Sequence, residues 1–434
     1  MPRYLIVGNS AAGVGALEAI RKIDRQSPVT VVSDECYPLY SRCLLSYYLA
    51  GKIGDERLHF RPADFHQKMA AELVAGVKAV SVDAAKNEVT LADGRRLGYD
   101  RLLIATGGSA RIPRGIPADV PGVFVLRTIG DALAILKRIE SSTHAVVLGG
   151  GLVGMKAAFA LAQRGLKVTV VVRSRHVLSQ MIDLDAAAIV EARLRESGVE
   201  ALTGADVTAV EAKDGRLAAA RVEVESQAPR TIPCEILIAA KGVEPNAGMI
   251  AGTPIEKKTG IVTDAHMQTS AENIYAEGDV AETFDIATGD RSVNALWTCA
   301  AQQGRIAGLN MAGQPREYDG SIGMNSINFP GVDLISFGVV RPAAGAGCQV
   351  LTDSRPAVGI YRKLVLKDNR VRGLILVNKI DNAGVLLSLL SRKIDVGGYK
   401  DDLLTDRFSY AEVLGHGGAE EWHRYRNAAQ IART

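Results

Sequence analysis

The sequence contains no CxxC. Its five cysteines, Cys36, Cys43, Cys234, Cys299 and Cys348, are scattered, which argues against a zinc ribbon, an iron–sulfur ligand set and an extracellular disulfide framework. No metal site is expected, and this cysteine usage reads as that of a reduced, cytoplasmic protein. No apolar run approaches the ~18 residues of a membrane span. The opening PRYLIVGNSAAG passes from a short apolar run straight into a glycine turn, unlike a signal peptide. An excess of one charge is missing too, since 51 Lys and Arg stand against 48 Asp and Glu, a formal net charge of +3. That balance gives no reason to expect nucleic acid or an acidic membrane surface as a partner. Low-complexity linkers are absent. What remains is ordinary globular composition, 47% apolar and 23% charged, in a 434-residue chain long enough for several domains.

Two segments carry chemistry. Tyr4-Leu5-Ile6-Val7 reads as a buried strand, followed by GNSAAG, Gly8 to Gly13, and a helical stretch from Val14 to Lys22. A second apolar run, Val29 to Val32, ends at Ser33-Asp34-Glu35. This is the strand–turn–helix–strand–acid order of a dinucleotide site. Gly8 makes the tight turn, small Ser10 admits a pyrophosphate to the backbone, and Gly13 lets helix and strand pack closely. Ala11 and Ala12 complete the loop, and the phosphates are expected on the N-terminus of the following helix, where free N–H groups and the helix dipole favour anions. Glu35 is placed to accept hydrogen bonds from a ribose. The unit repeats at Ala145 to Leu148, followed by GGGLVG, Gly149 to Gly154, a helix from Met155 and a strand from Lys167 to Val172. Here Gly149, Gly151 and Gly154 complete the pattern, with Leu152 and Val153 between them in the loop. Two such units fit two dinucleotides held face to face, as hydride transfer between a nicotinamide and a flavin requires.

Three further segments make a family resemblance. Tyr99 to Gly108, YDRLLIATGG, resembles the strand and turn that close a flavin domain, which nominates Ala105, Thr106 and Gly107. Ala239 to Asn246, AAKGVEPN, resembles the return crossing. Asn273 to Asp279, NIYAEGD, resembles the strand whose terminal aspartate holds a flavin ribityl chain. In this order the motifs resemble the FAD-dependent pyridine nucleotide–disulfide oxidoreductases. The resemblance implies an α/β chain with two Rossmann-like dinucleotide-binding domains, for FAD and NAD(P), and a C-terminal α/β interface domain. The expected bounds are 1–111 with 245–318 for FAD, 112–244 for NAD(P), 319–400 for the interface domain and 401–434 for a tail. Residues 294 to 313 read as a helix, and the family's AxxQG run there nominates Gln303 and Gly304. Lys363 to Leu366 and Gly373 to Val377 read as strands around an Asp368-Asn369 turn, and Leu386 to Leu390 begins a helix. In the tail, His416 and Glu420 are expected on an exposed segment that packs on a partner, with a helix from Ala419 to Gln430; the alternative is the His–Glu pair that disulfide reductases supply across a dimer.

The stretch YSRCLLS, Tyr40 to Ser46, decides between chemistries. Disulfide reductases of the family use a CxxxxC pair. Cys36 and Cys43 do not fit that spacing. Single-cysteine relatives place a thiol where Cys43 stands, but oxidase and peroxidase types add a histidine in the first glycine loop, where this chain has Ala11. Coenzyme A–disulfide reductases lack that histidine too. The segment is also similar to Y-x-R-x-x-L-S of nitrite reductase flavin subunits and of rubredoxin and ferredoxin reductases, matched by Tyr40, Arg42, Leu45 and Ser46. Those enzymes have no redox thiol, and Arg42 is then the residue expected to stabilise reduced flavin, the alternative being an ion pair with Glu35 or Asp34. Ferredoxin-reductase relatives carry a lysine after the L-S and a glutamate two residues past the second loop. Here Tyr47 and Lys156 stand there, so the cation has changed domain, and Lys156 is expected near the flavin–nicotinamide contact.

The strand before the second ribose ends at Val172, followed by Arg173-Ser174-Arg175 without an acid. Arginines there suit a 2′-phosphate, yet relatives lacking the acid use NADH, so NAD(H) is expected and NADP(H) stays open. GNSAAG, YSRCLLS and GGGLVGMKAA resemble the flavin subunits of multi-subunit 2-oxoacid oxidoreductases of the phenylglyoxylate dehydrogenase type. An iron–sulfur or ferredoxin-like subunit and other oxidoreductase subunits are then the expected partners. Two alternatives stand beside this reading: a thiol or coenzyme A–disulfide reductase or NADH oxidase using Cys43, as a homodimer, and a non-enzymatic FAD-binding redox-sensing scaffold.

Overall fold

The computed structural model describes residues 1–405 and residue 408. His416, Glu420 and the helix expected from Ala419 to Gln430 lie outside the described residues. Tyr4–Val7 (β1), Val29–Val32 (β2), Glu72–Val74 (β3) and Arg101–Ile104 (β4) pair in parallel. All four β1 residues are buried, the mark of a strand covered on both faces. Ala11–Ile23 (α1) links β1 to β2 and buries Val14, Leu17 and Ile20 at helical spacing. Arg21 and Lys22 lie in its last turn, where a helix favours cations. The short helix Leu45–Leu49 (α2) follows a one-turn 3₁₀ helix at Arg42–Leu44.

The chain then builds a second parallel sheet from Val123–Phe124 (β5), His144–Leu148 (β6), Lys167–Val172 (β7), Val199–Thr203 (β8) and Ile236–Ala239 (β9), in the order β8-β7-β6-β9-β5. Ile129–Ile139 (α3), with a complete Thr128/Asp131 capping box, and Leu152–Gln163 (α4) flank this sheet, and Leu184–Glu196 (α5) precedes β8. Ile274–Ala276 (β10) returns to the first sheet and pairs with β4, giving the order β10-β4-β1-β2-β3. Trp297–Met311 (α6) lies against α1, with Gly304 beside Ala12 and Gly308 beside Ala16. The core of this region joins Ile6, Leu17, Leu103, Ile104, Ala276 and Ala307.

Contacts divide the chain into two compact units, Met1–Ser179 with Leu194–Ser321, and Gln180–Arg193 with Ile322 onward. The second contains Met324–Phe329 (β11), Val332–Gly338 (β12), Cys348–Arg355 (β13), Ile360–Lys367 (β14) and Arg370–Val377 (β15), antiparallel in the order β11-β12-β15-β14-β13. Asp368 (φ 50) and Asn369 (φ 56) are both left-handed and form the two-residue hairpin turn between β14 and β15. Ala383–Ser391 (α7) packs on β15. Asp183, from the Gln180–Arg193 segment, accepts hydrogen bonds from the Tyr361 hydroxyl at 2.7 Å and Lys363 Nζ at 2.8 Å. Among the described residues no helix is long and apolar enough to cross a membrane.

Candidate functional site

The two glycine loops fold alike. Gly8 (φ 129) ends β1 and Gly149 (φ 122) ends β6, each turning the chain into a helix. Ser10 caps α1 and Gly151 caps α4, both extended, neither making a side-chain cap bond, and neither helix has an acid in its first turn. Their first N–H groups therefore face outward without a side-chain acceptor, as an anion site requires. Ala11 and Ala12 lie on the first turn of α1, and Leu152 and Val153 on that of α4. A Cβ built on Gly151 meets nothing within 4 Å, so the space over the α4 N-terminus is open. Both loops fit a dinucleotide pyrophosphate.

Beside the first loop, Glu35 is held on both oxygens. The Tyr40 hydroxyl donates to Oε2 at 2.6 Å, and Arg42 pairs with Oε1. Burial, with the Glu35 hydrogen bond, raises the Tyr40 pKa against the opposing Arg42 charge. A carboxylate offers about four acceptor positions, so Glu35 retains capacity for ribose hydroxyls. Arg42 Nη1 also donates to the Arg127 carbonyl at 2.8 Å, and the Ile129 N–H donates to the Tyr40 oxygen at 3.1 Å. Arg42 thus braces the start of α3 against the end of β2.

Arg127 was not legible as a site residue. Its Nη2 donates to Asp279 Oδ2 at 2.5 Å and its Nε to the Gly108 carbonyl at 3.0 Å. The α3 capping box positions it, because Asp131 Oδ2 accepts from the Arg127 N–H at 2.9 Å and the Thr128 N–H at 2.7 Å. The only local signal is that cap, since the Asp279 partner is 152 residues away. Gln303, 2% exposed, accepts from the Gly278 N–H at 2.8 Å and so fixes the turn that carries Asp279. Thr106 donates to the Asn246 carbonyl at 2.9 Å, and the Asn246 N–H returns to the Gly107 carbonyl at 2.9 Å. Ala105 bonds back to the Val7 carbonyl at 2.8 Å. The outgoing and returning crossovers are therefore one hydrogen-bonded unit.

Cys43, Tyr47 and Lys156 meet where α2 packs on α4. Lys156 Nζ lies 5.9 Å over the Tyr47 ring. No carboxylate pairs with it among the described residues, and burial lowers its pKa, opposed by the Cys43 thiol. Cys43 is exposed as a residue, yet crowding by its neighbours raises its thiol pKa, with the Lys156 charge opposing. Arg164 Nε donates to the Leu49 carbonyl at 2.8 Å, so α4 grips α2 at both ends. Cys36 lies apart, its Sγ against Gly76. Past β7, Arg173 and Arg175 are exposed, and neither makes an ion pair among the described residues. Leu178 N–H bonds to the Gly150 carbonyl at 2.7 Å, tying this turn to the second loop. Among the described residues no group of three or more His, Cys, Asp or Glu side chains could hold a metal ion.

Comparison with known proteins places this geometry. The family described as pyridine nucleotide-disulphide oxidoreductase matches residues 2–304, and the rubredoxin NAD+ reductase C-terminal domain matches residues 324–394. The chain is 36% identical to the NADH-dependent phenylglyoxylate dehydrogenase subunit epsilon of Aromatoleum evansii, over 91% of this chain and 92% of that one. It is 32% identical to an NADH oxidase of Methanocaldococcus jannaschii, over 73% of this chain and 71% of that one. The fold superposes on the covalent putidaredoxin reductase–putidaredoxin complex with a TM-score of 0.86 at 24% identity, covering 96% of this chain and 99% of that one.

Proposed function

The chain belongs to the pyridine nucleotide-disulphide oxidoreductase family, and from that premise we propose that it is the flavin subunit of a multi-subunit 2-oxoacid dehydrogenase of the phenylglyoxylate type. It is an NAD(P)H-dependent flavin oxidoreductase, of a family that binds FAD and NAD(P)H. In this reading residues 1–111 with 245–318 hold FAD, 112–244 hold NAD(H), and 319–400 form an interface. Bound FAD supplies two-electron exchange with the nicotinamide and one-electron exchange with an iron–sulfur partner. The α1 and α4 N-termini seat the two pyrophosphates. Glu35 and Asp279 are assigned to the ribose and ribityl hydroxyls. Arg42 and Arg127 hold those carboxylates in place. Lys156 supplies the positive charge at the seam between the two dinucleotide portions.

One observation favours this reading over a thiol-dependent reductase. Cys43 is a single thiol whose surroundings raise its pKa, and Cys36 is turned away against Gly76. Thiol chemistry needs the thiolate. The NADH oxidase relative keeps the second reading in play. Purification from the native source tests the two. The proposed function expects iron–sulfur subunits to co-purify, and a bare homodimer would sink it. Cys43→Ser is expected to leave NADH-driven dye reduction within about twofold, because the thiol is a neighbour of the chemistry. Loss of turnover in that variant would move the assignment to Cys43.

Lys156→Gln is expected to slow flavin reduction by NADH about tenfold, the worth of about 1.4 kcal/mol in the barrier. Stopped-flow absorbance reads it directly, and an unchanged rate removes Lys156 from the site.

A further inference from the structure

Glu277 is 0% exposed, and neither of its carboxyl oxygens has a hydrogen-bond partner among the described residues. Other buried acids of this unit differ. Glu282 accepts from the Thr259 and Gly260 N–H groups, and Asp285 from Ala287, Thr288 and Asn294. The Glu277 backbone extends the first sheet, its N–H on the Ile104 carbonyl at 3.1 Å. Its side chain enters the seam between α1 and α6. Oε2 lies 2.9 Å from a Cβ built on Gly304, and the same point touches the carbonyl of Ala12. Ala12 belongs to the first turn of α1, where the first loop fits a pyrophosphate.

Among the described residues no cation faces this carboxyl. On its own segment, Asp279 is committed to Arg127. On α1, residues Ala11–Leu17 carry no titratable group, and Glu18 pairs with Arg61. On α6, Cys299 and Gln303 are buried and Arg305 is exposed. Leu102, Leu103 and Ile104 of β4 are apolar, and the Tyr318 hydroxyl accepts from Gln303. An ionised carboxylate here would lose its hydration without compensation. Burial first, and the Asp279 charge second, accordingly push its pKa well above the usual carboxyl range.

We propose that Glu277 is a proton-linked gate on flavin retention: as a neutral acid it lets the anionic pyrophosphate rest on α1, and its ionisation drives the dinucleotide off. The proposal rests on the assignment of the first loop to FAD. The sign follows from linkage. A pyrophosphate beside the carboxyl repels its ionised form, so FAD raises the Glu277 pKa further. Affinity is full below the apoprotein value and falls as pH rises through it, by up to tenfold per pH unit until the flavin-bound value is reached.

Reconstitution of the full-length apoprotein with FAD, followed by flavin fluorescence, tests this between about pH 6 and about pH 9. The wild-type dissociation constant is expected to weaken at least tenfold over that range, and that of Glu277→Gln to stay flat within about twofold. Calorimetry on the wild type, in two buffers of different ionisation enthalpy, should show net proton uptake on FAD binding, and this arm does not depend on the variant folding. Parallel pH profiles for wild type and variant, or tight binding with no proton uptake, would overturn the gate alone. No FAD binding at any pH would overturn both the gate and the flavin assignment beneath it.

Discussion

Gly13→Ala is expected to give a folded chain that purifies colourless, and Gly154→Ala a yellow chain that NADH does not reduce. Each glycine sits one helical turn inside its loop, where a Cβ would collide with the carbonyl of the glycine that opens it: Gly8 for Gly13 and Gly149 for Gly154. The obstacle is backbone in both cases, so no rotamer change relieves it. Either the helix withdraws from its strand or the loop opens. Overpacking of this kind costs about 1–3 kcal/mol. The strain falls on the N–H groups that would hold phosphate, so dinucleotide affinity drops about 10–100-fold. The separation of the two effects is the strong part of the prediction. The flavin-to-protein absorbance ratio reads the first loop, and the anaerobic NADH reduction rate reads the second. Wild-type reduction in Gly154→Ala would remove the nicotinamide from that loop.

Much of this was legible from short-range pattern. The two loops could be read because their demands are local: a turn, a close approach and a helix start lie within a few residues of one another. The β14–β15 hairpin was legible at Asp368-Asn369 for the same reason. Long-range ionic partnerships were not. Arg42 was nominated for the flavin, and besides the nearby Glu35 it reaches the Arg127 carbonyl, 85 residues on. Arg127 looked like one arginine among many, because Asp279 reaches it only after the chain has built a second sheet and returned as β10. Glu277 gave the opposite difficulty. A glutamate before Gly278-Asp279 reads as a turn residue, and only the packing of α6 on α1 buries it. Sequence spacing reports what one segment requires of itself, whereas desolvation reports what distant segments do to it.

The other large effect is expected for Arg127→Ala, with flavin content falling well below one per chain and the FAD dissociation constant rising about 10–100-fold. The Arg127 side chain is 25% exposed and that of Asp279 14% exposed, so the pair is partly withdrawn from water. Removing the guanidinium leaves Asp279 without its partner, beside the buried Glu277, at a cost of about 1–3 kcal/mol for a stranded acceptor. It also frees the Gly108 carbonyl in the crossover. The consequence concentrates on the proposed flavin portion because both partners belong to the ends of its strands: Asp279 follows β10, and Gly108 follows β4. Arg127→Lys separates charge from shape. Lysine restores a cation near Asp279 but not the fork that reaches Gly108 at the same time, so an intermediate dissociation constant is expected. The capping box does not depend on the side chain, since Asp131 binds the Arg127 backbone N–H. α3 should therefore survive, and far-ultraviolet circular dichroism of Arg127→Ala should match wild type. A variant with that spectrum and undiminished flavin content would show that Asp279 needs no cation, and would leave Arg127 as a brace for Arg42 alone.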